Sequence, residues 1–346
     1  MSAGERSHLE REIREQPAAL RTALERTATS IDRFARELRA RGPLEQVVVA
    51  ARGTSDNAAR YAQYLIGARL GIPVALAAPS LTTMYDAPAV PRGARALAIA
   101  ISQSGQSPDV VGVLESARGA GVPTLAITND AASPLAAAAD AVLDLGVGLE
   151  RSVAATKTYT ASLAVVAAFV ARLGEDAAAS AALDEAPELV ERAVALAFDG
   201  VPALDAHHVA PHVVVVGRGF NYATALEIPL KLRELTGTVA EGFSPPDLLH
   251  GPIAAVSSGT RALVVAPPGR VRASVLEAAG ALRDRGATCI LVDDSADADL
   301  RLPVVAEWLS PLVAVIPGQV LALRWAQIGG HVVDAPPGLT KVTETY

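Results

Sequence analysis

The chain has 346 residues and a formal net charge of −7, with 51% hydrophobic but only 4% aromatic residues. That length accommodates two domains of ordinary size, each with its own core. The acidic balance and few aromatics exclude the basic face and stacking platforms of a nucleic-acid binder, and no uninterrupted apolar run reaches the roughly 20 residues of a membrane span. The single cysteine, Cys289, excludes disulfide frameworks and Cys-based metal sites, and its apolar run (residues 288–292) reads as a buried strand. The charged start, MSAGERSHLEREIREQ, lacks the apolar core of a signal peptide, so a reduced, soluble, cytoplasmic chain is expected.

Apolar residues at helical spacing (Leu9, Ile13, Leu20, Leu24, Ile31, Phe34, Leu38) predict a helix over about residues 7–41, broken or restarted at Pro17. After Gly42-Pro43, short apolar runs alternate with helical stretches, the pattern of parallel βαβ units. Strands are predicted at 47–50, 74–77, 96–101, 124–127 and 141–143. Ser55-Asp56-Asn57 is read as the cap of the helix through Ile66, and a long Ala-rich helix is predicted at about 155–173.

The strand at 96–101 runs into Ser102-Gln103-Ser104-Gly105-Gln106-Ser107, which opens a helix. Such a junction offers unpaired N–H groups, serine hydroxyls and the positive helix end to an anion. The loop contains no Lys or Arg, so hydrogen bonds would do the binding, and a small phosphate ester is the natural ligand. An ordinary capped βα turn has the same composition and stands as the alternative.

The chain then repeats itself. VVVAARG ending at Gly53 matches VVVVGRG ending at Gly219, a displacement of 166 residues, and the segments ending at Gly121 and Gly286 before two later strands are 165 apart. Two doubly wound α/β units are expected: a helical segment at 1–42, a first domain at 43–175, a partly helical connection at 176–211, a second domain at 212–335 and a tail at 336–346. In the second unit the serine loop is replaced by Ala266-Pro267-Pro268-Gly269-Arg270, whose prolines lack donors. The first half is therefore expected to hold the phosphate.

In the second half, the helix at 223–235 places Glu227, Lys231 and Glu234 near one face, as either a solvated ion-pair ladder or a functional set. His250 lies between an apolar pair and Gly251-Pro252, at an element boundary where side chains reach clefts. His207, His208 and His212 are expected on the surface of the connection, without metal-ligand spacing. The tail from His331 to Tyr346 would by composition be frayed.

Taken in order, Glu12-Ile13-Arg14-Glu15-Gln16-Pro17, Gly53-Thr54-Ser55, Ser102-Gln103-Ser104-Gly105, Ser152-Val153-Ala154-Ala155-Thr156-Lys157, Leu248-Leu249-His250-Gly251-Pro252 and Gly338-Leu339-Thr340-Lys341-Val342-Thr343 resemble the SIS (sugar isomerase) family. The resemblance is to the isomerase half of glucosamine-6-phosphate synthase and its stand-alone relatives, and it covers nearly the whole chain. It implies two tandem flavodoxin-like domains and a cofactor-free, metal-free enzyme. It further implies that Ser102, Gln103, Ser104 and Ser107 hold the phosphate and that Gly53, Thr54, Ser55 and Val153 surround the sugar. Glu234 would move a proton between C1 and C2, His250 would open the ring from a neighbouring subunit, and Lys341 would face the open-chain sugar, with Lys231 and Glu227 in support. A homodimer with shared sites is the expected assembly.

The chemistry needs such a set: a histidine for ring opening, a carboxylate for the proton shift and a cation for the enediol charge. The synthase carries a glutaminase domain with an N-terminal cysteine, which this sequence lacks, so hydrolytic deamination of glucosamine 6-phosphate is expected. Ala155, where the synthase has Ser, also fits the stand-alone deaminases. Fructosamine-6-phosphate deglycase, plain ketose–aldose phosphate isomerase and a non-catalytic sugar-phosphate sensor are the alternatives. The sensor reading lacks a preceding DNA-binding domain, because only about 42 residues come before the first strand.

Overall fold

The computed structural model describes residues 6–204 and 210–341; His207, His208 and the end of the tail motif (Val342, Thr343) lie outside them. The chain divides into two compact units. One comprises Ala18–Glu150 and Lys157–Ala186; the other comprises the residues up to Pro17 together with Arg151–Thr156 and Pro187–Lys341.

In chain order the first elements are α1 (His8–Ala40), β1 (Gln46–Ala51), α2 (Thr54–Leu70), β2 (Val74–Leu76), α3 (Pro79–Thr83), β3 (Ala96–Ile101), α4 (Pro108–Gly119), β4 (Thr124–Thr128), α5 (Pro134–Ala138), β5 (Ala141–Asp144), α6 (Lys157–Leu173) and α7 (Ala177–Asp184). The remainder are α8 (Ala186–Gly200), β6 (His212–Val216), α9 (Tyr222–Thr236), β7 (Val239–Phe243), α10 (Pro245–Leu249), β8 (Thr260–Val265), α11 (Arg272–Asp284), β9 (Thr288–Asp293), β10 (Leu300–Arg301) and α12 (Ser310–Ile328).

Each unit is built on one parallel five-stranded sheet. The first has the order β2-β1-β3-β4-β5, and the second, taken from its β7 edge, runs β7-β6-β8-β9-β10. These are the same 2-1-3-4-5 arrangement used twice, the doubly wound flavodoxin-like order. The repeat read from the sequence is therefore a repeat of topology. Strands such as ALAIAI in β3 are apolar throughout because helices cover both faces of a parallel sheet.

The two cores use the same helix-on-strand pattern. Ala98 and Ala100 of β3 pack with Val110, Val113, Leu114 and Ala117 of α4. Ala262 and Val264 of β8 pack with Val275, Ala278, Ala279 and Leu282 of α11. The helical residues fall at the i, i+3, i+4, i+7 spacing of one apolar face.

Several expectations are corrected. α1 is continuous through Pro17 rather than broken there. A proline cannot donate to the carbonyl four residues back, here that of Ile13. The Gln16 side chain makes the missing donation instead, from Nε2 to the Ile13 carbonyl at 2.9 Å, and also reaches Gln319 Oε1 at 2.9 Å. The cap of α2 is Gly53 without a side-chain bond, and Ser55, Asp56 and Asn57 lie inside the first turn. His212 is the first residue of β6, half-buried between Glu241 and Thr260, and not part of a surface connection. Cys289 sits in β9 as expected but is half-buried, with burial pushing its thiol pKa up.

Among the described residues, one helical stretch, Glu307–Ile328, is long and apolar enough to cross a membrane, although the uninterrupted runs did not reveal it. In this structure 94% of its apolar window is buried inside the protein. It is the core helix of its unit, packed along α9.

Candidate active site

In the first unit the chain order reverses between β1 and β3, and loops leaving the carboxyl ends of such neighbours form the usual ligand position of doubly wound sheets. Both loops open helices. Ser107 is the N-cap residue of α4, and Pro108 occupies the first turn, where an N–H would be unused. The Ser102 hydroxyl accepts the Gly105 N–H at 3.1 Å, and the Ser104 hydroxyl accepts the Gln106 N–H at 3.3 Å. Gln103 anchors the loop to the end of β4 by accepting the Asn129 N–H at 3.1 Å. Gly105 has φ +63°, and a Cβ there would stand 2.1 Å from Ser133 Oγ, so only glycine fits without movement.

The β1–α2 turn carries Gly53, Thr54 and Ser55 at the start of α2. It is tied to α4 by Arg52, whose Nε and Nη2 each lie 2.8 Å from Oδ2 of the buried Asp109. The serine loop contains no cation, yet Arg52 brings a half-exposed guanidinium to the first turn of its helix. Sequence spacing gave no sign of this pairing, since 57 residues separate the partners.

In the second unit, Gly269 and Arg270 follow the end of β8 at the same distance in sequence as Gly105 and Gln106 follow β3. The place above this loop is taken by a carboxylate of the protein itself: Glu307 Oε1 accepts the Arg270 N–H at 2.9 Å. A Cβ on Gly269 would lie 2.2 Å from Glu307 Cδ, so the glycine lets the carboxyl in. With two prolines and one N–H already engaged, this loop differs from its counterpart in the donors it can offer.

The second unit supplies a different constellation on α9. Pro229 leaves the Ala225 carbonyl without its usual helical donor, and Gly242 of β7 packs directly on that carbonyl, where a Cβ would come within 2.0 Å. The helix is thereby seated against its strand. Lys231 Nζ lies 2.6 Å from Glu234 Oε2 and 3.4 Å from Glu227 Oε1. The ladder reading fails for two of the three residues: the side chains of Lys231 and Glu227 are 1% and 0% exposed, while that of Glu234 is 22% exposed. Burial alone would lower the lysine pKa, but Glu227 and Glu234 together outweigh it and hold the pKa above its ordinary value. The result is a lysine favoured in its charged form, paired with a carboxylate that is part-exposed.

The other expected residues occupy separate positions in the same unit. His250 closes α10 as its C-cap residue, with its N–H on the Pro246 carbonyl at 3.0 Å, and its side chain is exposed. Val153 is half-buried in the loop between β5 and α6, and its N–H donates to the Asp334 carbonyl at 3.3 Å. In the same loop, Arg151 and Ser152 donate their N–H groups to the buried Glu12 of α1. Lys341 is half-buried at the end of the described chain. The structure thus groups Glu227, Lys231 and Glu234 directly; Glu12, Asp334 and Glu307 are residues whose placement no spacing signalled. Among the described residues no cluster of three His, Cys, Asp or Glu could hold a metal ion.

These features define a tandem doubly wound α/β protein with a serine-rich loop opening a helix in one unit and an acid–lysine trio, two of its members buried, in the other. The SIS domain family matches residues 44–172 and 208–303, and the chain belongs to that family. It is 35% identical over 341 residues to glutamine–fructose-6-phosphate aminotransferase [isomerizing] of Methanothermobacter thermautotrophicus, covering 96% of this chain and 56% of that protein. The chain thus spans little more than half the length of that relative. A candidate phosphosugar isomerase from Silicibacter pomeroyi DSS-3 shares 33% identity and a TM-score of 0.84, with 95% of this chain and 99% of that one covered. The C-terminal domain of glucosamine-fructose-6-phosphate aminotransferase from Francisella tularensis, at 26% identity, has a TM-score of 0.86 over 97% of this chain and all of that one.

Proposed function

We propose that the chain isomerises a phosphorylated amino sugar at C1 and C2 and hydrolyses it, converting glucosamine 6-phosphate and water to fructose 6-phosphate and ammonium. The observation that carries this reading is the α9 trio, in which Lys231, itself paired with the buried Glu227, holds the part-exposed Glu234. A shift of hydrogen from C2 to C1 needs one base that removes and returns a proton, and a carboxylate fixed on a helix suits it.

In this reading the phosphate is held by Ser102, Gln103, Ser104 and Ser107, and Gly53, Thr54, Ser55 and Val153 border the sugar. His250 takes the proton of the anomeric hydroxyl and returns one to the ring oxygen. Lys341 stabilises the charge on the enediol-like intermediate, and the imine then formed at C2 takes up water and loses ammonium. Relatives matched over nearly the whole chain carry isomerase names, which supports the proton shift. For the hydrolytic direction, the support is Ala155, where the synthase that the chain resembles has Ser. The exposed turn carrying His250 fits donation to a neighbouring subunit, in a homodimer with shared sites.

The test is a substrate panel without added metal: glucosamine 6-phosphate, a fructosamine 6-phosphate and glucose 6-phosphate, read for ammonium, amine and ketose. Ammonium and fructose 6-phosphate from the first compound are expected. Turnover of the fructosamine ester alone would make the protein a deglycase. Glucose–fructose interconversion alone would make it a plain isomerase, and binding without turnover would make it a sensor.

A further inference from the structure

The segment between α12 and Lys341 is tied to the start of α1. An α-helix has no internal partner for its first N–H groups. In α1, Ser7 Oγ accepts the Glu10 N–H at 3.1 Å, and a single carboxylate takes the two before it. His8 donates to Asp334 Oδ2 and Leu9 to Asp334 Oδ1, both at 2.9 Å. A negative side chain on the positive end of a 33-residue helix is further favoured by the helix dipole. The main-chain oxygen of Asp334 accepts the Val153 N–H, and one turn along α1 Glu12 takes the N–H groups of Arg151 and Ser152. One helix end therefore grips two segments, and Asp334 joins them.

Beyond Asp334 the chain is stiffened. Pro336 is buried, and its carbonyl accepts the Leu339 N–H at 3.3 Å. Pro337 and Gly338, the latter at φ +79°, fill the two central positions with the residues a type II turn requires. Seven residues after the anchor comes Lys341, which even a fully extended chain would keep within about 24 Å.

We propose that Asp334 positions Lys341: its carboxylate, clamped on the α1 N-terminus, fixes the base of an arm whose far end presents the lysine to the sugar. The same residue holds Val153, so the sugar-bordering loop and the lysine arm share one mount. This inference rests on the reading of Lys341 given above.

The experiment compares Asp334→Ala, Asp334→Asn, Lys341→Ala and the double alanine variant, using the substrate that the panel identifies. Asp334→Ala is expected to lower kcat by roughly tenfold or more, with a much smaller change in KM. Asp334→Asn should recover part of the loss, because its amide oxygen still accepts an N–H. On the Lys341→Ala background the aspartate change should add nothing, whereas a cap that merely stabilised the fold would cost the same in both. Hydrogen exchange at residues 335–341 and 151–153 should rise in Asp334→Ala while the rest of the protein keeps its protection. Full kcat in Asp334→Ala alongside a crippled Lys341→Ala would overturn the anchor. If Lys341→Ala is fully active, the reading of the lysine fails, and the exchange data alone judge the anchor: unchanged exchange overturns it.

Discussion

Lys231 is held in its charged form by two carboxylates, one of them wholly buried, and this makes it expensive to remove. Lys231→Met leaves Glu227 buried without its cation, and a loss of about 3–5 kcal/mol is expected from denaturant unfolding. Combining it with Glu227→Gln should recover part of that loss. The pH dependence follows from the raised pKa. The trio's contribution is fully present below the ordinary lysine value of 10.5 and disappears only as pH rises through the higher folded value. On the alkaline side, the stability gap between wild type and Lys231→Met should therefore close only as pH rises above the ordinary lysine value. The spacing of the trio was legible in the sequence, but its burial was not, because α12 covers the helix from a distant part of the chain. Pro17 shows the same limit, since the Gln16 side chain that replaces its missing donor is invisible to a propensity argument.

Among the elements, the serine loop and its proline-containing counterpart give a paired test. Gly105→Ala must place a β-carbon against Ser133 while holding a positive φ, so a cost of about 1–3 kcal/mol is expected, with a raised KM for the phosphorylated substrate and little change in kcat. Gly269→Ala has only to push aside the end of Glu307, and KM should hold. Equal KM effects in steady-state assays of the two variants would remove the distinction between the loops. The strands and loops were readable because parallel βαβ units write continuous apolar runs followed by polar, glycine-containing turns. The cap of α2 was misplaced because Ser, Asp and Asn favour both the N-cap and the first turn, and here Gly53 holds the cap. The Asp334–α1 clamp joins residues 326 apart, and no local pattern announces it.

At the scale of the molecule, one doubly wound plan is used twice and its two loops have diverged. The matching segments near Gly53 and Gly219 make the repeat legible in the sequence, because both follow from the first strand of a 2-1-3-4-5 sheet. If sites are shared between subunits, mixing the inactive variants Glu234→Gln and His250→Ala, then dissociating and reassociating them, should restore activity in the hybrid. Persistent inactivity of a demonstrated hybrid would place His250 and Glu234 of the same subunit together. The central claim is that Glu234 performs the proton shift while the serine loop only holds the phosphate. The most direct measurement is ammonium and ketose release from glucosamine 6-phosphate by wild type and Glu234→Gln, with substrate binding measured on both. The account expects a fall in kcat of about 10²-fold or more with binding retained; turnover by Glu234→Gln at the wild-type rate would contradict it.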